Sequence, residues 1–459
     1  MGHLGQLAFT TQAFHEGKKS LVSSTPMNNP APKPSPMNLV YVFADQWRAQ
    51  AVGYAGDPNV QTPFLDALAK ESLRFRCAVA NVPVCCPSRA TLLTGKMPHE
   101  HGVFLNDVRL RDANDSLGHR LNRLGYHTAW IGKWHLNGHG RSRPIASQYQ
   151  QGFQHFVARE CNHHYWNALY FEGPDQRSGT WTDYEPEAQT RQACDYLRQR
   201  ADARQPFALF LSWAPPHDPY GTAPDRFRSM YDPQAIQLRD NVPSEHAQKT
   251  RNDLAGYYAH CSALDAQIGE LLRTIDDAGL AGNTAFIFTS DHGDMLDSQG
   301  GRNKQQPWDE SVLVPMLARI PGEASRDMTQ PFGTVDTADA LIALASGVEP
   351  RWQRPASLIA SYAPFGQWDR RVGGRAYRGV RTEQHTYVRD LNGPWLLFDN
   401  HEDPYQLRNR IADRRLRENL ENLLRTELDA VGDPFEPAEV LIQRWGYSVN
   451  EHGTVPFEW

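Results

Sequence analysis

The stretch Val82-Pro83-Val84-Cys85-Cys86-Pro87-Ser88-Arg89-Ala90-Thr91-Leu92-Leu93-Thr94-Gly95-Lys96 decides how the rest of the chain is read. It starts extended and ends helical. Pro83 disfavours helix in the residue before it. Pro87 is preorganised for a first helical turn, the Ala90-Thr91-Leu92-Leu93 run continues the helix, and Gly95 can stop it. Cys85 is therefore expected just outside a helix N-terminus, where unpaired N–H groups and the helix dipole favour negative charge. Arg89 falls one turn further on the same face. A nucleophile, an arginine and N–H donors converge on a volume that suits an oxyanion. The residues alone leave Cys85 readable as a buried structural cysteine or as an activated thiolate.

Outward from this stretch, strands and helices alternate. Residues 38–44 (Asn-Leu-Val-Tyr-Val-Phe-Ala) form an unbroken apolar run, as a buried parallel strand requires. It ends in Asp45-Gln46. Thr62-Pro63 reads as a helix start, and Ser116 opens a second helix closed by Gly125. The strand 128–131 runs into Gly132-Lys133-Trp134-His135. A helix is expected over 185–202, then a strand over 207–213 that leads to Pro215-Pro216-His217-Asp218. Apolar spacing predicts a long helix over 252–278. The strand 284–289 leads to Ser290-Asp291-His292-Gly293-Asp294. This alternation predicts an α/β fold with a mostly parallel, doubly wound sheet flanked by helices.

From about Tyr362 the character changes. Residues 373–388 and 394–398 read as short antiparallel strands with Gly373-Gly374 and Asn392-Gly393 turns. A charged helix follows over about 405–431, its core stripe Leu416, Leu420, Leu423, Leu424 and Leu428. The expected organisation is a disordered or extension segment over 1–37, a catalytic α/β domain over 38–365 and a smaller C-terminal α+β subdomain over 366–459.

Four expected strands end in Asp45, Lys133/His135, His217 and Asp291/His292. Ligands of open α/β sheets bind outside the carboxyl ends of the strands, so these residues are expected to share one site. Asp45, Asp291 and His292, with the Gln46 carbonyl, offer an oxygen-rich set with one nitrogen, suited to Ca²⁺ or Mg²⁺. Each has a plainer alternative as a cap or turn residue. Asp294 reads as a supporting residue. A lone histidine is more often structural, but Lys133 two residues from His135 on a strand-end loop favours a functional pair.

Cys85-Cys86-Pro87-Ser88-Arg89, followed by Leu93-Thr94-Gly95-Lys96, resembles the signature of the type I sulfatases, members of the alkaline phosphatase superfamily. Asp45-Gln46, Ser290-Asp291-His292-Gly293, Gly132-Lys133-Trp134-His135, Pro-Pro-His217 and the late Lys304 resemble further motifs of that family. The resemblance implies the alkaline-phosphatase-like fold, agreeing with the reading from the residues. It also implies that Cys85 is oxidised to formylglycine by the formylglycine-generating enzyme before or during folding. Cys85, Asp45, Gln46, Asp291 and His292 would surround the metal. Many members have Asp-Asp where this chain has Asp45-Gln46, so Gln46 is the weakest ligand of the set. Arg89, Lys133, His135, His217 and Lys304 would be catalytic: Lys133 on a sulfate oxygen or the formylglycine hydroxyl, Lys304 on the bridging or another sulfate oxygen, His217 or Lys304 at the leaving group, His135 as base on the hydrated aldehyde. The implied reaction is sulfate monoester hydrolysis. A phosphonate monoester or phosphodiester hydrolase with the same formylglycine machinery is the alternative. A non-catalytic glycan-binding protein of the same fold is the second.

For the substrate, residues 157–170 read as a loop rich in histidine and aromatics, with His163, His164 and Trp166 available to stack on a sugar. His101, Asn106 and Asp107 follow the signature helix, and Arg378 can reach over from the C-terminal part. A sulfated carbohydrate is the expected substrate, by resemblance to glycan sulfatases.

The net charge of −6 gives no basis for a nucleic-acid partner. The six cysteines show no zinc or disulfide-framework spacing and are expected to be mostly free thiols. No apolar run approaches membrane-spanning length. Residues 1–37 lack the apolar core of a signal peptide. The resemblance implies a periplasmic or secreted protein, and the residues alone leave a cytoplasmic one equally open.

Overall fold

The apolar run after residue 37 becomes the strand Asn38–Asp45 at the centre of a ten-stranded sheet. The computed structural model describes residues 36–111 and 114–457, all within one compact unit. Most of the extension segment therefore lies outside the described residues. Asn38–Asp45 pairs in parallel with Phe207–Pro216 on one side and Thr284–Ser290 on the other. His127–Lys133 and His155–Arg159 extend the parallel core.

These strands carry apolar residues at successive positions because both faces are covered. Leu39, Tyr41 and Phe43 join one core with Trp130, Phe210 and Ile287, beneath the helices Cys85–Thr94 and Thr334–Ala345. Val40, Val42 and Ala44 join the other core with Ile131, Leu211 and Phe288, beneath Glu185–Ala201 and the long helix Ala247–Asp277. Each buried aliphatic side chain of this kind contributes about 1.5–3 kcal/mol. The expected doubly wound arrangement is thus present.

The sheet is wider than the alternation suggested, and its added strands bring in antiparallel pairings. Trp166–Glu172 and Arg177–Tyr184 close one side and Leu317–Arg319 pairs on the other. Residues 157–170 are a loop only at 160–165; they begin in the strand His155–Arg159 and end in the strand Trp166–Glu172, which is next to the edge strand Arg177–Tyr184.

A separate four-stranded antiparallel sheet runs in chain order through Ala356–Ser361, Tyr377–Thr382, His385–Asp390 and Gly393–Asp399. Its first strand lies upstream of residue 365. Its residues Ala356, Val380 and Leu397 share a core with the main sheet. The charged helix begins at Arg414, where the Asp413 carboxylate caps Leu416 N, nine residues after the expected start. All six cysteines are buried free thiols. No described helix is long and apolar enough to cross a membrane.

Candidate active site

Asp45 and Lys133 are the last residues of their strands, and His217 and Asp291 directly follow theirs. The strands are adjacent and parallel, so all four residues reach one edge. The helix Cys85–Thr94 starts at the same edge. Cys85 is its first residue, one position further in than expected, and Val84 is the cap. Gly95 ends it in the left-handed conformation at φ 66°.

Cys85 Sγ lies 3.5 Å from Asp45 Oδ1 and 3.3 Å from His292 Nε2. His292 Nε2 is 3.3 Å from Asp45 Oδ1 and 3.6 Å from Asp291 Oδ1. One atom of each of these four residues thus faces a common point, all within 4.8 Å of one another. The second carboxylate oxygens are tied back. Asp45 Oδ2 accepts from Lys133 Nζ and, at 3.5 Å, from Arg89 Nη2. Asp291 Oδ2 accepts from Arg89 Nε at 3.0 Å. Arg89 also donates to Lys133 O and Ser212 Oγ, which fixes the guanidinium inside the sheet edge.

Two buried carboxylates, an imidazole and a fourth donor pointing at one spot fit a hard divalent cation. The electrostatics agree. Burial and the neighbouring Asp45 push Asp291 above the usual carboxylate range. Burial pulls His292 down, but Asp291, Cys85 and Asp45 together outweigh it and the imidazole is pushed up to about 10. A proton there occupies the position a cation would take. Gln46 enters differently: its side-chain oxygen accepts from Lys304 Nζ at 3.0 Å and its amide donates to Asp294 Oδ2 at 2.8 Å. Asp294, buried and also bonded to Tyr220, is the supporting residue expected.

Above the cysteine stands a second group of charges. Lys304 Nζ is 3.1 Å from Cys85 Sγ and 2.8 Å from His217 Nε2. His217 Nδ1 faces Asp218 Oδ1 at 3.0 Å. Burial and Lys304 lower His217, Asp218 and Asp45 raise it, and the balance pushes it up to about 9. Burial and Asp45 push the Cys85 thiol up, yet Lys133, Lys304 and His292 hold it well below the usual thiol range. His135 Nε2 lies 3.4 Å from Asp107 Oδ1, and its buried Nδ1 has no hydrogen-bond partner among the described residues.

These residues line a cavity of about 310 Å³ that contains Cys85, Asn106, Asp107, Lys133, His135 and His163. Four residues expected near the substrate are elsewhere. His101 is buried against Thr91 Oγ1 and Val103 N. Arg378 is buried in an ion pair with Asp433. His164 points to solvent. Trp166 starts the strand next to the sheet edge and donates to Thr222 O. Asn106 does line the cavity, with its oxygen on Cys86 N. Arg141, Cys161, Asp218 and Thr454 also line it and were not foreseen. Asp218 sits beside His217 in sequence, so its signal was present. Thr454 comes from the far end of the chain, where nothing in the local pattern marks it.

Fold and site together suit a hydrolase: a buried thiol, a candidate cation centre and a cluster of positive groups stand at one sheet edge. The sulfatase family profile matches residues 37–348, and the chain belongs to the sulfatase family. An ulvan-active sulfatase of Formosa agariphila is 39% identical over 443 residues, covering 90% of this chain and 85% of the relative. An endo-4-O-sulfatase of Bacteroides thetaiotaomicron is 28% identical, covering 89% and 95%. Among solved structures, the yidJ sulfatase of Bacteroides fragilis superposes with a TM-score of 0.79 at 25% identity, covering 90% of this chain and 99% of that one. A phosphonate monoester hydrolase of Agrobacterium radiobacter shares the fold, with a TM-score of 0.67 at 21% identity, covering 91% and 99%.

Proposed function

We propose that this sulfatase removes sulfate from a sulfated carbohydrate, using formylglycine made from Cys85 and a divalent cation held by Asp45, Asp291 and His292. The observation that carries the reading is the cluster around the buried Cys85: Lys304 on its sulfur, His217 on Lys304, and Lys133 and Arg89 on the adjoining carboxylates of Asp45 and Asp291. The carbohydrate rests on the relatives: an ulvan-active sulfatase and an endo-4-O-sulfatase are among them.

Ca²⁺ or Mg²⁺ in this centre supplies positive charge against a sulfate oxygen. Formylglycine at position 85, installed by a formylglycine-generating enzyme, supplies an oxygen nucleophile in place of sulfur. The chain does the rest. Lys133 and Arg89 hold Asp45 and Asp291 in place, so that one oxygen of each stays directed at the cation. Lys304, anchored by Gln46, meets the sulfate oxygens as they gain charge. His217, oriented by Asp218, faces the bridging oxygen and gives its proton to the departing alcohol. His135, oriented by Asp107 and with Nδ1 unpartnered among the described residues, takes the proton whose loss releases sulfate.

The experiment is a rate comparison on matched aryl sulfate and aryl phosphonate esters, with sulfate release from ulvan and glycosaminoglycan fragments alongside. Preference for sulfate and release from one glycan are expected. Preference for the phosphonate ester would replace this reading with the alternative hydrolase.

A further inference from the structure

The catalytic cavity shares part of its wall with a neighbour. Asn303 and Gln367 stand in its wall and also in the wall of a second cavity of about 630 Å³. That neighbour is lined by Trp308, Trp395 and the buried Trp368. Trp308 and Trp395 meet edge to face with ring centroids 6.0 Å apart. Both are half-buried and rest on the core cluster beneath, and Arg375 lies over the Trp395 ring at 4.2 Å, so Trp308 is the ring offered to a sugar. Arg302 belongs to the same wall, with its side chain 63% exposed and its nearest carboxylate, Asp297, 3.7 Å away. The loop carrying these residues is held in shape. Gln299 donates to Tyr405 O and Gln406 O, and Gln306 donates to Arg302 O.

We infer that this cleft is a second sugar subsite, which binds the residues flanking the sulfated unit of the same glycan. The inference rests on the carbohydrate reading above. Aromatic faces take the apolar faces of sugar rings, and polar groups at the rim take the hydroxyls. The exposed guanidinium of Arg302 suits a sulfate or carboxylate on the neighbouring sugar. A chain threaded from one cavity to the other passes Asn303 and Gln367, whose amides can bond its hydroxyls. The enzyme therefore favours chains over single sulfated sugars.

The test uses the full chain matured with formylglycine-generating enzyme. Sulfate release is measured from two-sugar and six-sugar fragments of ulvan and of glycosaminoglycans, and from 4-nitrophenyl sulfate, which fills only the catalytic cavity. The six-sugar fragment is expected to be the better substrate. Arg302→Ala and Trp308→Ala should each lower kcat/KM on it by about tenfold or more, chiefly through KM, and leave 4-nitrophenyl sulfate within about twofold. Arg302 is a surface residue, so its variant folds whatever Trp308→Ala does. Equal rates on both lengths, or equal losses on both kinds of substrate, overturn the subsite while the glycan reading stands. Hydrolysis of the aryl ester with no release from any sugar overturns both.

Discussion

Lys304 Nζ stands 3.1 Å from Cys85 Sγ, across 219 residues of chain. Gln46 and His217 hold the same ammonium at 3.0 and 2.8 Å. A buried cation with three fixed neighbours costs little reorganisation when charge develops beside it. Lys304→Ala should lower kcat by about 10²–10³-fold, the size seen when one preorganised donor is removed. Thermal unfolding should show that the variant is folded. Steady-state kinetics with unchanged kcat would remove Lys304 from the mechanism.

The two adjacent cysteines should behave differently. Cys85 faces the cation centre, whereas Cys86 Sγ accepts from Asp107 N at 3.4 Å inside the core. Cys85→Ala should abolish turnover. Cys86→Ala should retain most of it and lose some stability. Equal losses of activity would mean that the wrong sulfur has been chosen.

Asp291→Asn removes a charge from the cation centre and from its pair with Arg89. Metal content, read by elemental analysis, and activity should fall together. A variant that keeps its metal would contradict the ligand assignment.

Arg378 tests the correction to the substrate contacts. Its guanidinium lies 2.6 Å from Asp433 and 3.5 Å from the Tyr362 ring, fully buried. Arg378→Ala strands Asp433, so stability should fall by roughly 3–5 kcal/mol. KM for the glycan should not rise selectively. Full stability with a raised KM would restore Arg378 to the substrate.

Asp265 predicts a pH dependence of stability. It accepts from Phe64 N and Leu65 N and so caps the helix Pro63–Ala69 from the long helix. Burial outweighs these two donors and pushes its carboxyl up to about 7. Between about pH 4 and 7 the folded chain keeps a proton there that the unfolded chain has lost. The group's contribution therefore falls as pH rises through that window, by up to roughly 1.4 kcal/mol per pH unit, and is level above it. Asp265→Asn should flatten this slope in denaturant titrations. An unchanged slope would show that Asp265 is ionised throughout.

The parallel core was legible because its strands are buried on both faces and therefore apolar at every position, as in residues 38–44. The active-site edge was legible because polar residues stand where those runs stop. The added antiparallel strands were not. Trp166–Glu172 has one face in solvent, so its composition resembles that of a loop. The strand Ala356–Ser361 was missed because it stands apart in sequence from the strand it pairs with, Tyr377–Thr382. Substrate contacts were the least legible. Arg378 and His101 carry the right chemistry, but only their tertiary partners, Asp433 and Thr91, show that they are spent on the core. Thr454 reaches the cavity through packing that local sequence does not encode.

The central claim is that position 85 carries the nucleophile as formylglycine. Its most direct test is the mass of the peptide containing residue 85, in protein made with the formylglycine-generating enzyme, measured beside sulfate release. A loss of about 18 Da at Cys85, thiol to aldehyde, with turnover proportional to the converted fraction, is the expected result. Full sulfatase activity from protein whose Cys85 remains an unmodified thiol would contradict it.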